Sequence, residues 1–238
     1  MLKQEIESKL RTFSINSIRE VINGSNKVFL CEMLGDDNEK LLSIYKPIKG
    51  ERQLGDFFIG NLSSRELASY EISKYFEWPN LPPLIIRKGP FGFGSFQKFI
   101  DHDPNNNYFN LFDEYKKDLS LVIIFDSIIL NTDRKAGSII LDENKNIWAI
   151  DQALTFNPYT RLRTVMFEFN KMKIDKKILL QIENFIFELE TQKYIFCKLV
   201  NLISEKEIIS LIERSKILLK DKKISELDPY SNVPYPLV

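Results

Sequence analysis

The chain has 238 residues, 44% hydrophobic and 28% charged, with 33 Lys plus Arg set against 33 Asp plus Glu. That balance excludes wholesale disorder and argues against electrostatic capture of nucleic acid, which calls for a Lys/Arg excess or a basic stripe. A chain of this length buries roughly 70–75% of its unfolded surface, enough for one large domain or two tight lobes.

Cys31 and Cys197 lie far apart in apolar stretches and predict two buried free thiols, with neither a disulfide framework nor a Cys-ligated zinc site. The N-terminus carries Glu5 and Glu7 and no apolar signal core, and the longest mainly apolar run, Leu119 to Leu130, is broken by Ser120, Asp126 and Ser127. No membrane span is expected, and the location implied is the cytoplasm.

Residues 1 to about 110 hold eight of the nine glycines and six of the ten prolines, which predicts strands and turns there and helices beyond. From Thr12 to Met33 an apolar–polar alternation is interrupted at Asn23-Gly24-Ser25-Asn26, the pattern of a hairpin. Lys40 to Pro47 reads as a third strand that Pro47 ends, leaving Lys46 at a strand terminus. Ser63 with Glu66 three residues on has the capping-box spacing, and Leu67, Ala68, Tyr70, Ile72, Tyr75 and Phe76 follow at helical intervals. Asn80 to Arg87, the Gly89–Gly94 run and Ser95 to Asp101 read as strand, turn and strand; the run lacks the Lys-Ser/Thr of a P-loop and predicts a hairpin. A polar loop follows, in which His102 is expected to be exposed rather than catalytic. Tyr108 to Leu130 is helical, 138–141 and 146–150 are two short strands, and amphipathic helices are expected near 175–203 and 205–220.

Pairing of those two short strands places Asp133 just before the first and Asp151 just after the second, so both carboxylates stand at the hairpin's open end. With Lys46 on a strand end and Glu66 on a helix, the parts needed to hold a nucleoside triphosphate and its magnesium are present. Blander readings stand beside this one. Lys46 is a solvated strand-end lysine, Glu66 a capping-box acid, Asn131 a left-handed helix terminator, and Asp133 with Arg134 a turn ion pair. Asp151, after the apolar Ile147-Trp148-Ala149-Ile150, is harder to dismiss, because a carboxylate there needs a partner.

The Asn131-Thr132-Asp133-Arg134 loop in this setting resembles the catalytic loop of atypical kinases of the phosphatidylinositol 3- and 4-kinase-like branch. Tyr45-Lys46-Pro47, Gly50-Glu51-Arg52 with Leu54 and Asp56-Phe57, Arg65-Glu66-Leu67-Ala68-Ser69-Tyr70, Pro82-Pro83, the Gly89 to Gln97 run, Leu162-Arg163-Thr164-Val165, Glu168-Phe169 and the closing Pro234 to Val238 resemble a small stand-alone prokaryotic family of that branch, similar in turn to HipA-like kinases. The resemblance covers nearly the whole chain. It implies an α+β, two-lobed protein-kinase-like fold in one domain, 1–238, with a β-rich N-lobe to about residue 100 and a mostly helical C-lobe from about 101.

It also implies roles. Lys46 would contact the α- and β-phosphates of ATP and Glu66, with Glu71 as the alternative, would orient it. Asp133 would position the acceptor hydroxyl, Asp151 and Ser138 would hold Mg2+, and Asn131 and Arg134 would shape the loop. Ser25 and Asn26 would cover the phosphates, Gln97, Phe99 and Ile100 would form the adenine-reading hinge, and Asp101 would lie near the ribose. Lipid kinases of the branch have His where Lys135 stands and a metal-binding Asn where Ser138 stands, which implies one well-held metal, a second held loosely, and slower turnover. The chain also lacks a lipid kinase's accessory domains and basic activation loop, so phosphoinositide is not the expected acceptor. The expected activity is phosphotransfer from MgATP to a protein or small-molecule hydroxyl; the alternatives are a pseudokinase that binds ATP as scaffold or sensor, and nucleotidyl transfer on the same fold. The C-terminal segment from Tyr230 is expected to dock back on the protein.

Overall fold

The computed structural model describes residues 3–21, 26–58 and 60–237. A short helix α1 (Lys3–Thr12) leads into β1 (Ser14–Val21), β2 (Val28–Leu34) and β3 (Lys40–Pro47), then α2 (Leu62–Phe76), β4 (Leu84–Gly89) and β5 (Gly92–Lys98). The five strands form one antiparallel sheet in the order β1-β2-β3-β5-β4, so the last hairpin inserts its second strand beside β3. Beyond it come α3 (Tyr108–Ile129), a two-stranded ribbon of β6 (Ile139–Leu141) and β7 (Ile147–Ala149), and helices α4 (Lys176–Glu190), α5 (Tyr194–Leu199) and α6 (Glu205–Asp221). The architecture is the expected α+β one, a β-sheet lobe followed by a helical lobe.

The alternation of β2 explains how the sheet is covered. Phe29, Cys31 and Met33 are buried in turn and pack with Tyr45, Ile85 and Phe96 beneath Ile6 and Leu10 of α1. Burial of each such side chain contributes about 1.5–3 kcal/mol. Helix α1 is missing from the sequence reading, because a ten-residue helix with two buried side chains carries a weak periodic signal and owes its order to the sheet. With Tyr45 on the α1 face, strand geometry turns its neighbour Lys46 to the other face, toward α2. Lys46 pairs with Ser95 and Pro47 with Gly94. A Cβ on Gly94 would lie 2.7 Å from the Cα of Pro47, so only glycine lets β5 approach the end of β3 this closely.

A larger core fills the second lobe and reaches up under α2, with Phe76, Phe125, Phe185 and Leu211 buried together. Three expectations need correction. The span expected near 175–203 breaks at Thr191 to Lys193, where Gln192 takes a left-handed conformation between α4 and α5. Cys31 is buried, but Cys197 lies on the exposed side of α5 because that short helix buries only Ile195 and Leu199. Helix α2 begins at Leu62 behind Asn61, so no capping box forms at Ser63; Glu51 accepts from the Ser63 N–H and hydroxyl at 3.4 Å. The C-terminal segment docks back as expected: Asn232 accepts from Thr164 N–H at 2.8 Å, and the Leu237 carbonyl accepts from Ala136 N–H at 2.8 Å.

Candidate active site

Lys46 connects the two lobes. Its Nζ donates to Glu66 Oε1 at 2.6 Å and to Asp151 Oδ1 at 2.9 Å, while Ser95 Oγ donates to Glu66 Oε2 at 2.9 Å. Glu66 is buried, and both of its oxygens are used on the sheet rather than on the start of its own helix. Its carboxylate thus bonds to Lys46 and Ser95 and takes no part in capping α2. Glu71, the alternative, bonds instead to Lys74 on α2 at 3.1 Å. Burial disfavours the Lys46 ammonium, but the charges of Asp151 and Glu66 outweigh it and hold Lys46 above the ordinary lysine value.

Asp151 follows β7 with φ of 62°, a left-handed conformation that costs a non-glycine residue on the order of 1 kcal/mol. Strain of this kind gathers where a side chain must be aimed. Its carboxylate is 57% exposed, and the Lys46 ammonium holds it below the usual carboxylate range.

Asp133 sits on the loop between α3 and β6. Its N–H donates to Asn131 Oδ1 at 3.0 Å, and Lys135 Nζ bonds to its Oδ2 at 2.6 Å. Burial raises its pKa above the ordinary carboxylate value; Lys135 opposes the rise and the charge of Asp151 adds to it.

Under the loop lies a fully buried ion pair. Arg134 donates through Nε to Asp126 Oδ2 at 2.7 Å and through Nη2 to Asp126 Oδ1 at 2.9 Å. Its Nη1 donates to the Ile150 carbonyl at 2.8 Å, and Asn131 Nδ2 donates to Asp126 Oδ1 at 3.1 Å. Arg134 and Asn131 have no exposure, so both shape the loop from inside, and the left-handed helix terminator is Leu130 rather than Asn131. Asp126 was visible only as an interruption of an apolar run; an acid there is the signal of a buried partner.

Ser138 is buried in the turn before β6, and its carbonyl accepts from Ile150 N–H at 3.0 Å, tying the Asp133 and Asp151 segments together. Among the described residues no three His, Cys, Asp or Glu side chains gather into a metal-holding cluster. The donor set here, an ionised and half-open Asp151 with the Ser138 hydroxyl two strands away in sequence, nevertheless suits magnesium, which takes one or two carboxylates and completes its shell with phosphates and water.

The hinge segment is partly committed. Gln97 is buried between Ile44 of β3 and Leu84 of β4; Lys98 N–H donates to Pro83 and Phe99 N–H to Leu42, at 2.8 and 2.9 Å. The Ile100 carbonyl faces His102 Nδ1 at 2.8 Å, so His102 is half-buried rather than exposed. Asp101 is exposed and lines a depression with Asp103 and Asp142. Asn26 accepts from Arg52 N–H at 2.9 Å, and Ser25 lies outside the described residues. Sequence reading also missed Arg65, Thr155 and Glu207, which meet behind α2.

No family model matches the chain. Protein Rv2133c of Mycobacterium tuberculosis is 29% identical, over 75% of this chain and 76% of its own length. Among solved structures, the Golgi casein kinase with Mn/ADP bound superposes with a TM-score of 0.57 at 11% identity, covering 92% of this chain and 75% of its own. Hydra Fam20 with sugar gives 0.55 at 12% identity over 92% of this chain and 87% of that one, and the Helicobacter pylori proinflammatory kinase CtkA gives 0.50 at 12% over 89% and 93%. At these identities the likeness is one of fold: the chain has an α+β, two-lobed protein-kinase-like architecture. No helix among the described residues is long and apolar enough to cross a membrane.

Proposed function

We propose that this protein is an ATP-dependent phosphotransferase built as a single kinase-like domain over 1–238. The observation that carries the reading is Lys46, held at 2.6 Å from Glu66 and 2.9 Å from Asp151, with the Asp151 segment tied to the segment after Asp133 by the 3.0 Å bond from Ile150 N–H to the Ser138 carbonyl. Structural neighbours that are kinases, one with Mn/ADP bound, support it. The finer placement beside the phosphatidylinositol 3- and 4-kinase-like branch and HipA-like kinases rests on the sequence motifs.

In this reading Lys46, fixed by Glu66, takes the α- and β-phosphates. Ile100 N–H, which no acceptor holds among the described residues, reads adenine at the hinge. Asp151 and Ser138 hold Mg2+, which when bound neutralises charge on the phosphates. Asp133 accepts the proton of the acceptor hydroxyl as its oxygen bonds to the γ-phosphorus and ADP departs. The raised pKa of Asp133 suits that role, because a general base works best with its pKa drawn toward the operating pH.

A second reading, a nucleotide-binding pseudokinase, is favoured by Lys135, which occupies Asp133 Oδ2 at 2.6 Å where an acceptor hydroxyl would bond. The test is incubation of the protein with MgATP labelled at the γ- or the α-phosphate, with binding followed by calorimetry and products by mass. Transfer of the γ-label, lost in Asp133→Asn with binding kept, supports phosphotransfer. Transfer of the α-label assigns nucleotidyl transfer, magnesium-dependent binding without turnover assigns the pseudokinase, and absence of binding refutes all three.

A further inference from the structure

We propose that Arg65 is the positioning residue that joins the two halves of this site, locking the helix that carries Glu66 to the loop that carries Asp151. The catalytic consequence rests on the phosphotransfer reading; the mechanical linkage does not.

Arg65 precedes Glu66 on α2, and successive residues of a helix point about 100° apart. Glu66 faces the sheet, whereas Arg65, only 6% exposed, faces the second lobe. There its Nη1 donates to the Thr155 carbonyl and its Nη2 to Glu207 of α6, with the ring of Phe57 5.0 Å from the guanidinium carbon. Glu207 is no loose surface acid. Its second oxygen accepts from both the N–H and the hydroxyl of Ser204, at 2.8 and 2.9 Å, so it is built into the first turn of α6. One turn along α2, the Ser69 hydroxyl lies 3.5 Å from that of Thr155.

Thr155 ends the segment that starts at Asp151. Its hydroxyl donates to the Gln152 carbonyl at 2.9 Å, next to Asp151. On the segment's other side, the Leu154 carbonyl accepts from the N–H and hydroxyl of Thr132 at 2.9 and 3.0 Å, and Thr132 precedes Asp133. Residues 151–156 are thus clamped between α2 and the Asp133 loop, and Arg65 is the charged contact on the α2 side. A buried ion pair contributes little net stability over an apolar substitute, so this pair is better accounted for by the register it imposes. A planar guanidinium addresses the carbonyl and the carboxylate from two separate nitrogens in a fixed fork, a geometry that the single, freely rotating ammonium of lysine does not reproduce.

The test compares the full-length chain with Arg65→Lys, Arg65→Met and Glu207→Gln by amide hydrogen exchange without nucleotide, and by kcat and KM for MgATP on samples matched for circular dichroism. Exchange is expected to accelerate in 151–156 and 131–134 as well as in α2, with β2 and α4 unchanged, in whichever of the three fold. kcat is expected to fall on the order of 10²-fold with KM little moved, and Arg65→Lys not to rescue it, because small misplacements of reacting groups cost that much. A change in exchange confined to α2, or full kcat in Arg65→Lys, overturns the proposal. Failure of the unaltered protein to bind or turn over MgATP would instead overturn the phosphotransfer reading, while the exchange result still decides the linkage.

Discussion

Replacing Asp126 by Asn tests the foundation of the site without touching its open face. Asp126 and Arg134 are both fully buried and joined by two bonds of 2.7 and 2.9 Å. Removing the carboxylate's charge leaves a guanidinium in the core with no counter-ion, and breaking such a pair costs about 3–5 kcal/mol. Against a total stability of about 5–15 kcal/mol that is a large share. At roughly 2–4 °C per kcal/mol for a chain of this size, Tm should fall by about 6–20 °C. The exposed pair Lys216–Glu190, 2.8 Å apart and about half accessible, is the control; its loss is expected to cost under about 1 kcal/mol. Calorimetry or urea unfolding reads both. The double variant Asp126→Leu with Arg134→Met should recover most of the loss, because two apolar side chains replace the pair, yet remain inactive, because Asn131 Nδ2 and the Ile150 carbonyl then lose the side-chain partners that fix the loop. A drop in Tm of less than about 2 °C in Asp126→Asn, or an active double variant, would refute the argument that this pair positions the loop.

Four further outcomes are expected. Glu66→Gln should weaken nucleotide binding by calorimetry several-fold and lower turnover, because Lys46 then keeps only the half-exposed Asp151 as counter-charge. Asp133→Asn should abolish turnover while leaving Tm at pH 7 unchanged or raised: a carboxyl whose pKa is lifted by burial costs the folded state stability once pH rises through the unfolded value, and the substitution removes that cost. The same lift predicts that the acidic limb of the pH–rate profile falls above the ordinary aspartate range, and Lys135→Met, which removes the opposing charge, should move it further up. With a thiol reagent, Cys197 should react in the native state, whereas Cys31, whose thiol burial pushes up to about 11, should react only on unfolding.

The elements that sequence makes legible are those whose pattern is local. Lys40–Pro47 coincides with a strand because its short apolar run and its terminal proline are both written in eight residues, and the Asp133 and Asp151 pair followed from two short strands and a turn. What pattern could not supply is the partner across the fold. Glu66 had two roles open to it, and only the insertion of β5 beside β3, which brings Ser95 to its second oxygen, decides between them. Arg65 stood in the sequence only as the first residue of the Arg65–Tyr70 run, because its partners Thr155 and Glu207 are 90 and 142 residues away. Local chemistry thus named the groups that face the cleft, and long-range contacts named those that hold them there. The difference is physical: a group that meets substrate must be at an element's end, where turns and terminators mark it, whereas a group that positions it must be buried, where it carries no mark except the oddness of a charge among apolar neighbours. Asp126 in its apolar run is that mark, and a buried charge of this kind is the most direct sequence signal for the inner half of such a site.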